Sequence, residues 1–258
     1  MTKHATIILI PARLRSQRLP DKPLAELGGV PMIVQVWRRG CEADIGPVVV
    51  ACAEAEIAEA VEAHGGTAIL TDPALPSGSD RILQALTRYD PERRYERIVN
   101  LQGDLPSLEP GPIKAVLDPI ERLGTDMGTL ARVIEDPHER VDPSVVKPVV
   151  AWDQDNPRLG RALYFSRATI PTGEGVLHHH IGIYGFRRAA LEKFATLPAS
   201  PLEQRERLEQ LRALENGMTI GVALVETNPL EINTPEDLER AHSTFAGSAT
   251  SPQRSTHE

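Results

Sequence analysis

Residues Thr6 to Leu24 read TIILIPARLRSQRLPDKPL, and the change of character along this stretch decides the fold. Thr6–Ile10 is a β-rich apolar run and predicts a first core strand. Arg13 to Lys22 then carries Arg13, Arg15, Arg18 and Lys22 against one acid, Asp21, a net +3 in ten residues. Arginine binds phosphate oxygens through paired hydrogen bonds, lysine acts as a compact point charge, and loop N–H groups add donors. A strand opening into such a loop suits an enzyme that handles a small polyanion. Charge alone equally allows a solvated basic loop, so the remaining chain has to decide.

Working outward, strand and helix signals alternate. A helix is expected from Pro31 to about Arg39, with Pro31 as first helical residue, and a buried strand at Pro47–Ala51. Further helices are expected at Glu54–His64, Ser79–Arg88 and Pro112–Leu123, and strands at Ala68–Thr71 and Arg97–Leu101. This order predicts an α/β fold with a mostly parallel central sheet and helices on both faces. Ligands of such sheets bind at the carboxyl ends of the strands, so the loops after Ile10 and Leu101 should border a site. In the second half, β-like stretches at Val145–Ala151, Arg161–Phe165 and Ile181–Phe186 lie between loops. A long amphipathic helix is expected from Leu202 to about Glu215, then a strand at Thr219–Val225 and a last helix at Pro235–His242 capped by Thr234. One globular unit over residues 1–242 is expected, with 243–258 as a flexible tail.

Composition narrows the function classes. A formal net charge of −8 argues against a general nucleic-acid binder. No apolar run approaches the roughly 20 residues that a membrane helix needs, and the N-terminal run ends too early for a secretory signal. Two cysteines, Cys41 and Cys52, do not make a disulfide framework, and the cytoplasm is the expected compartment. Neither GxGxxG nor GxxxxGK[ST] occurs, against a dehydrogenase and a P-loop kinase. The triple His178-His179-His180 does not suggest zinc, because adjacent strand residues alternate faces.

Three segments carry candidate chemistry. Asp104, in a Gly/Asp/Pro turn after a buried strand, is placed either to hold a magnesium ion or merely to form the turn. Ser77-Gly78-Ser79-Asp80-Arg81 supplies hydroxyls and a close backbone approach, or a helix entry capped by Ser79. Glu209 and Gln210 read on their own as a polar stretch of helix.

Several motifs in fixed order resemble one family. They are Pro11-Ala12-Arg13, Arg18-Leu19-Pro20 with Lys22-Pro23-Leu24, Ser77 to Arg81, Asn100-Leu101-Gln102-Gly103-Asp104, Tyr164 to Pro171, His180-Ile181-Gly182-Ile183-Tyr184-Gly185, Ser200-Pro201-Leu202-Glu203 with Leu208 to Arg212, and Thr234 to Leu238. Together they are similar to the 3-deoxy-manno-octulosonate (Kdo) cytidylyltransferases across nearly the whole chain. The resemblance implies a Rossmann-like nucleotidyltransferase fold in which about residues 130–215 form a small sugar-binding and dimerisation lobe. It implies that Arg13, Lys22 and Asp104 are catalytic, and that Pro11, Ala12, Arg13, Arg18, Lys22, Ser77, Gly78 and Arg81 bind CTP. Gln102, Arg167, His180, Tyr184, Glu209 and Gln210 would bind the acid sugar, with Arg167 pairing its carboxylate.

The implied cofactor is Mg2+, held by Asp104 and position 233. Here the chain departs from the family pattern Asp-Thr-Pro-Glu-Asp-Leu by carrying Asn233. An amide oxygen can ligate magnesium without a carboxylate's charge, so a weakened but working seat is expected, with Asp237 or water as possible helpers. The implied reaction joins CTP and Kdo into CMP-Kdo and pyrophosphate for lipopolysaccharide synthesis, in a homodimer. Two rivals are a cytidylyltransferase for another acid sugar, such as sialic acid or an amino analogue of Kdo, and a catalytically silent nucleotide-binding homologue.

Overall fold

A computed structural model describes residues 5–15 and 19–248. The expected first strand is β1 (Thr6–Ala12), in which Ile7 to Ile10 are fully buried. A single 3-10 turn (Lys22–Leu24) and a small hairpin of β2 (Glu26–Leu27) and β3 (Val30–Pro31) lead into α1 (Met32–Glu42). Pro31 caps that helix instead of starting it. There follow β4 (Val48–Cys52), α2 (Ala55–Glu62), β5 (Thr67–Leu70), α3 (Gly78–Tyr89) and β6 (Arg97–Asn100). The cap of α3 is Ser77, whose side chain accepts from the Asp80 N–H, and not Ser79 as the sequence suggested.

The helix expected over Pro112–Leu123 is two, α4 (Pro110–Ala115) and α5 (Asp118–Arg122). Pro119 lacks the N–H that a continuous helix would use, so it starts a new one instead. Next come β7 (Met127–Val133), α6 (Pro137–Val141), β8 (Lys147–Trp152), β9 (Leu159–Ser166), β10 (His178–Arg187) and α7 (Arg188–Thr196). Sequence reading passed over β7 and α7. The Gly128 interruption hides β7, and the glycine is needed there because a Cβ would lie 2.1 Å from the Val116 carbonyl oxygen.

The long helix expected from Leu202 to Glu215 is also broken, into α8 (Pro201–Glu206) and α9 (Leu211–Glu215). Arg207 takes a left-handed conformation with φ 57°, which ends the first helix. The chain closes with β11 (Ile220–Leu224) and α10 (Pro235–Ser248), which passes the expected end at His242. Burial of Phe245 against the cluster of Leu27, Met32 and Ile232 extends it.

The large sheet has the order β5-β4-β1-β6-β10-β7-β11-β9-β8. All its strands run one way except β9 and β10. Alternation along β1 divides the core into two layers. Ile8 and Ile10 face Ile33, Val36, Ile57 and Ile120, while Ile7 and Leu9 face Ile82, Leu86, Leu191 and Phe194. Each fully buried aliphatic side chain contributes about 1.5–3 kcal/mol, which is what holds the strand ends in fixed register. No helix among the described residues is long and apolar enough to cross a membrane.

Candidate functional site

β1 and β6 are parallel neighbours, with Leu9 opposite Asn100, so the loops after them leave the same edge of the sheet. The Gly78 end of α3 closes on them. A Cβ on Gly103 would lie 3.0 Å from the Pro11 carbonyl oxygen, and one on Gly78 would lie 3.3 Å from Pro11 Cγ. Small residues thus let three loops meet around a cleft of about 680 Å³. Pro11, Ala12, Arg13, Lys22, Ser77, Gly78, Arg81, Gln102, Asp104 and Asn233 line it, together with Arg15. The sequence reading counted Arg15 in the basic run but gave it no role.

The charges at this end are arranged for an anion. Arg13 and Arg15 are exposed and make no hydrogen bond or ion pair among the described residues. Arg81 is buried behind them, donating from Nη1 to Thr71 Oγ1 at 2.5 Å, while its Nη2 has no partner. Burial pushes the Arg81 guanidinium below its usual range, Glu54 opposes this, and the neighbouring Arg13 charge pushes it further down. A bound anion would relieve that crowding and take the unspent donor. Leu14 N–H donates to Glu54 Oε2 at 2.9 Å, which ties the basic loop to the end of β4.

Lys22 Nζ lies 2.9 Å from Asp104 Oδ2 and 3.2 Å from Asn233 Oδ1. Two oxygens from distant parts of the chain therefore converge on one cationic point, with the ammonium standing where a divalent ion would find hard donors. Asp104 and Asn233 are the residues that could hold a metal. Ile232 N–H donates to the Asp104 carbonyl at 3.1 Å and fixes the two loops together. Asp237 is not a helper here. Its Oδ2 accepts the N–H groups of Asn233 and Thr234, both at 2.9 Å, and its Oδ1 pairs with Arg240. It serves as the entry clamp of α10, together with Thr234, whose hydroxyl accepts the Asp237 N–H at 3.2 Å.

Behind Gln102 and the start of α3 lies a second, mostly enclosed polar group. Gln102 Nε2 donates to Asn100 Oδ1 at 3.0 Å, and Asn100 lies opposite Tyr184 in the β6–β10 ladder. The His180 ring sits 5.6 Å from that of Tyr184 and 5.0 Å, edge-on, from that of Phe165. Ser79 Oγ reaches Glu209 Oε2 at 3.2 Å. Glu209 Oε1 and Gln210 Nε2 are buried with no partner, and such orphans carry a desolvation penalty of about 1–3 kcal/mol until something meets them. The break at Arg207 is what aims Glu209 at Ser79. Burial raises the Glu209 carboxyl, pushes the Tyr184 hydroxyl far up with help from the Glu209 charge, and lowers His180 to about 3.

The structure does not bring Arg167 to this group. Its guanidinium donates to the carbonyls of Glu206 at 2.9 Å, Pro143 at 3.0 Å and Arg207 at 3.5 Å, so it braces two loops. Two of its five N–H donors remain for the pairing with a sugar carboxylate that the resemblance implied. Arg18 lies outside the described residues. The three histidines go to three environments: His178 beside Trp152, His179 beside Arg132, and His180 beside Thr129. Thr129 is a supporting residue that sequence reasoning did not single out, and only topology shows it, since its partners His180, Ile181 and Ile183 lie on β10.

Comparison with known proteins agrees with this arrangement. The family model described as "Cytidylyltransferase" matches residues 7–220. The 3-deoxy-manno-octulosonate cytidylyltransferase of Paramagnetospirillum magneticum is 56% identical over 241 residues, covering 93% of this chain and 98% of the relative. That of Rhodospirillum centenum is 59% identical over 235 residues, covering 91% of each. Among solved structures, a CMP:2-keto-3-deoxy-manno-octonic acid synthetase complexed with CTP is similar at a TM-score of 0.85 and 34% identity, covering 94% of this chain and 99% of that one.

Proposed function

The chain belongs to the 3-deoxy-manno-octulosonate (Kdo) cytidylyltransferases, and from that premise we infer that it transfers the cytidylyl group of CTP to Kdo, giving CMP-Kdo and pyrophosphate. The observation that carries this reading is the meeting, in one cleft, of uncommitted arginines and Lys22 with Asp104, backed through Gln102 and Ser79 by a polar group with unspent hydrogen bonds. Triphosphate suits the first, and a polyhydroxylated sugar suits the last.

In the reaction the anomeric hydroxyl oxygen of the sugar bonds to the α-phosphorus, and the bond from that phosphorus to the bridging oxygen of the β-phosphate breaks. Arg13, Arg15 and Arg81 would bind phosphate oxygens and hold the α-phosphorus in line with the attacking oxygen, with Lys22 turning from Asp104 onto the nucleotide. Gln102, His180, Tyr184, Glu209 and Gln210 would orient the sugar from the opposite side and keep water away from it. Mg2+ is proposed as the cofactor, held by Asp104 and Asn233. When bound it would neutralise phosphate charge. A homodimer is proposed through the lobe that exposes Val141, Leu163 and Val176, and action in the cytoplasm for lipopolysaccharide synthesis is the physiological setting we assign.

Pyrophosphate release with CTP and each of Kdo, an amino analogue of Kdo and sialic acid tests the reading. Release is expected with Kdo at the highest kcat/KM. Tight CTP binding with no release on any acidic sugar would favour a silent nucleotide-binding homologue. Sedimentation of the same sample at micromolar concentration checks the dimer.

A further inference from the structure

Thr129 lies on β7, fully buried, opposite Tyr184 of β10. The pairing of β10 with β7 slips between Ile181 and Tyr184, so the regular ladder is interrupted there. The Thr129 hydroxyl fills the gap. Its Oγ1 is 2.8 Å from the Ile183 carbonyl oxygen, 3.3 Å from that of Ile181 and 2.9 Å from His180 Nε2.

A hydroxyl has one proton to give, and carbonyl oxygens have none. If Thr129 gave its proton to His180 Nε2, its bare oxygen would face the Ile183 oxygen at 2.8 Å with nothing between two buried acceptors. That contact is repulsive. The proton therefore goes to Ile183, and His180 Nε2 must carry its own. In a neutral imidazole the other nitrogen is then bare. Burial keeps the ring neutral around pH 7, and Nδ1 has no partner among the described residues.

We propose that Thr129 is a positioning residue that fixes His180 in its Nε2–H form, so that Nδ1 is offered to a hydroxyl of the sugar as an acceptor. The assignment of His180 to the sugar end rests on the function inferred above. The tautomer itself does not. A ring so held accepts a hydrogen bond from the sugar and cannot donate one, so a sugar whose oxygen at that point lacks a proton, such as a methyl ether, is rejected.

The test is nitrogen NMR of protein labelled in histidine. Wild type is expected to show His180 with a protonated Nε2 and a bare Nδ1 at pH 7.5, and saturating Kdo should shift the Nδ1 signal more than the Nε2 signal. Thr129→Val should move the balance towards Nδ1–H and raise KM for Kdo roughly tenfold, the scale of one hydrogen bond, with KM for CTP unchanged. Thr129→Ser, which keeps the hydroxyl, should restore both. A purely structural role for Thr129 would move neither the tautomer nor the two KM values apart. A proton on Nδ1 in wild type overturns the proposal, whether or not the valine variant folds. So does Nε2–H persisting in Thr129→Val with KM for Kdo unaltered. Failure of the function reading looks different: no acidic sugar is turned over while the free protein still shows Nε2–H, which ends the acceptor role but not the tautomer.

Discussion

The open cleft and the enclosed polar group behind it, the two ends of the candidate site, are built on opposite principles. The nucleotide end is charged and open, with Arg13 and Arg15 exposed and Lys22 poised on Asp104. The end proposed for the sugar is enclosed and has no cationic side chain assigned to it, with His180 and Gln210 buried and the Glu209 carboxyl and Tyr184 hydroxyl pushed up by burial. A triphosphate arrives with charge to neutralise, and long-range attraction suffices to collect it. A sugar offers hydroxyls of modest strength, which discriminate only where water has been removed and every partner is fixed. The contrast makes the ends separable by experiment.

The largest effect is expected at the charged end. Arg13→Ala, Lys22→Ala or Asp104→Asn should each lower kcat by about two to three decades, the cost of removing one electrostatic stabiliser from a reaction centre, with KM for Kdo little changed. Near-normal turnover in Asp104→Asn would remove its metal assignment. At the enclosed end, Glu209→Ala should raise KM for Kdo about tenfold and leave KM for CTP alone, as expected for the loss of one buried hydrogen bond. If both KM values rose together, the two ends would not be independent. Restoring a carboxylate by Asn233→Asp should lower the Mg2+ concentration for half-maximal rate by roughly threefold to tenfold, because ligand charge tunes such sites. A higher Mg2+ requirement would mean that position 233 does not face the metal.

A separate effect concerns stability. Burial, then the charge of Arg132, lowers His179 to about 4, and burial, then His179, lowers His180 to about 3. Both folded values lie below the unfolded value of about 6.5. Above that pH neither state binds the protons, so the contribution is fully present. As pH falls from 6.5 towards 4 the unfolded chain takes up protons that the folded chain refuses, and stability is lost. Urea midpoints at pH 7.5 and pH 5 should differ in that direction, and His179→Gln should reduce the difference. An unchanged slope would show that the histidines are not held neutral.

The same contrast explains what the sequence revealed. Most of the charged end is local, with Arg81 and Asn233 added from elsewhere in the chain. Its strand, its basic loop and Asp104 lie in two short segments whose patterns announce a sheet edge, and the parallel first half follows from simple alternation. The enclosed end is assembled from β6, β7, β10, the start of α3 and the turn between α8 and α9. Periodicity read that turn as uninterrupted helix, because no residue there forbids helix and only Arg207 in a left-handed conformation breaks it. β7 was missed because a close backbone approach requires Gly128 inside it. Arg167 shows the converse: an arginine in a motif is chemically suited to a carboxylate, and only the structure shows that three carbonyls of its own chain share its donors.

Nucleotide bound at the charged end should be joined to sugar bound at the enclosed end. Phosphorus NMR of a mixture of protein, Mg2+, CTP and Kdo tests it most directly. The account predicts that the triphosphate signals give way to a sugar phosphodiester and pyrophosphate in equal amounts. Persistence of CTP, or its conversion to CDP and phosphate, would contradict it.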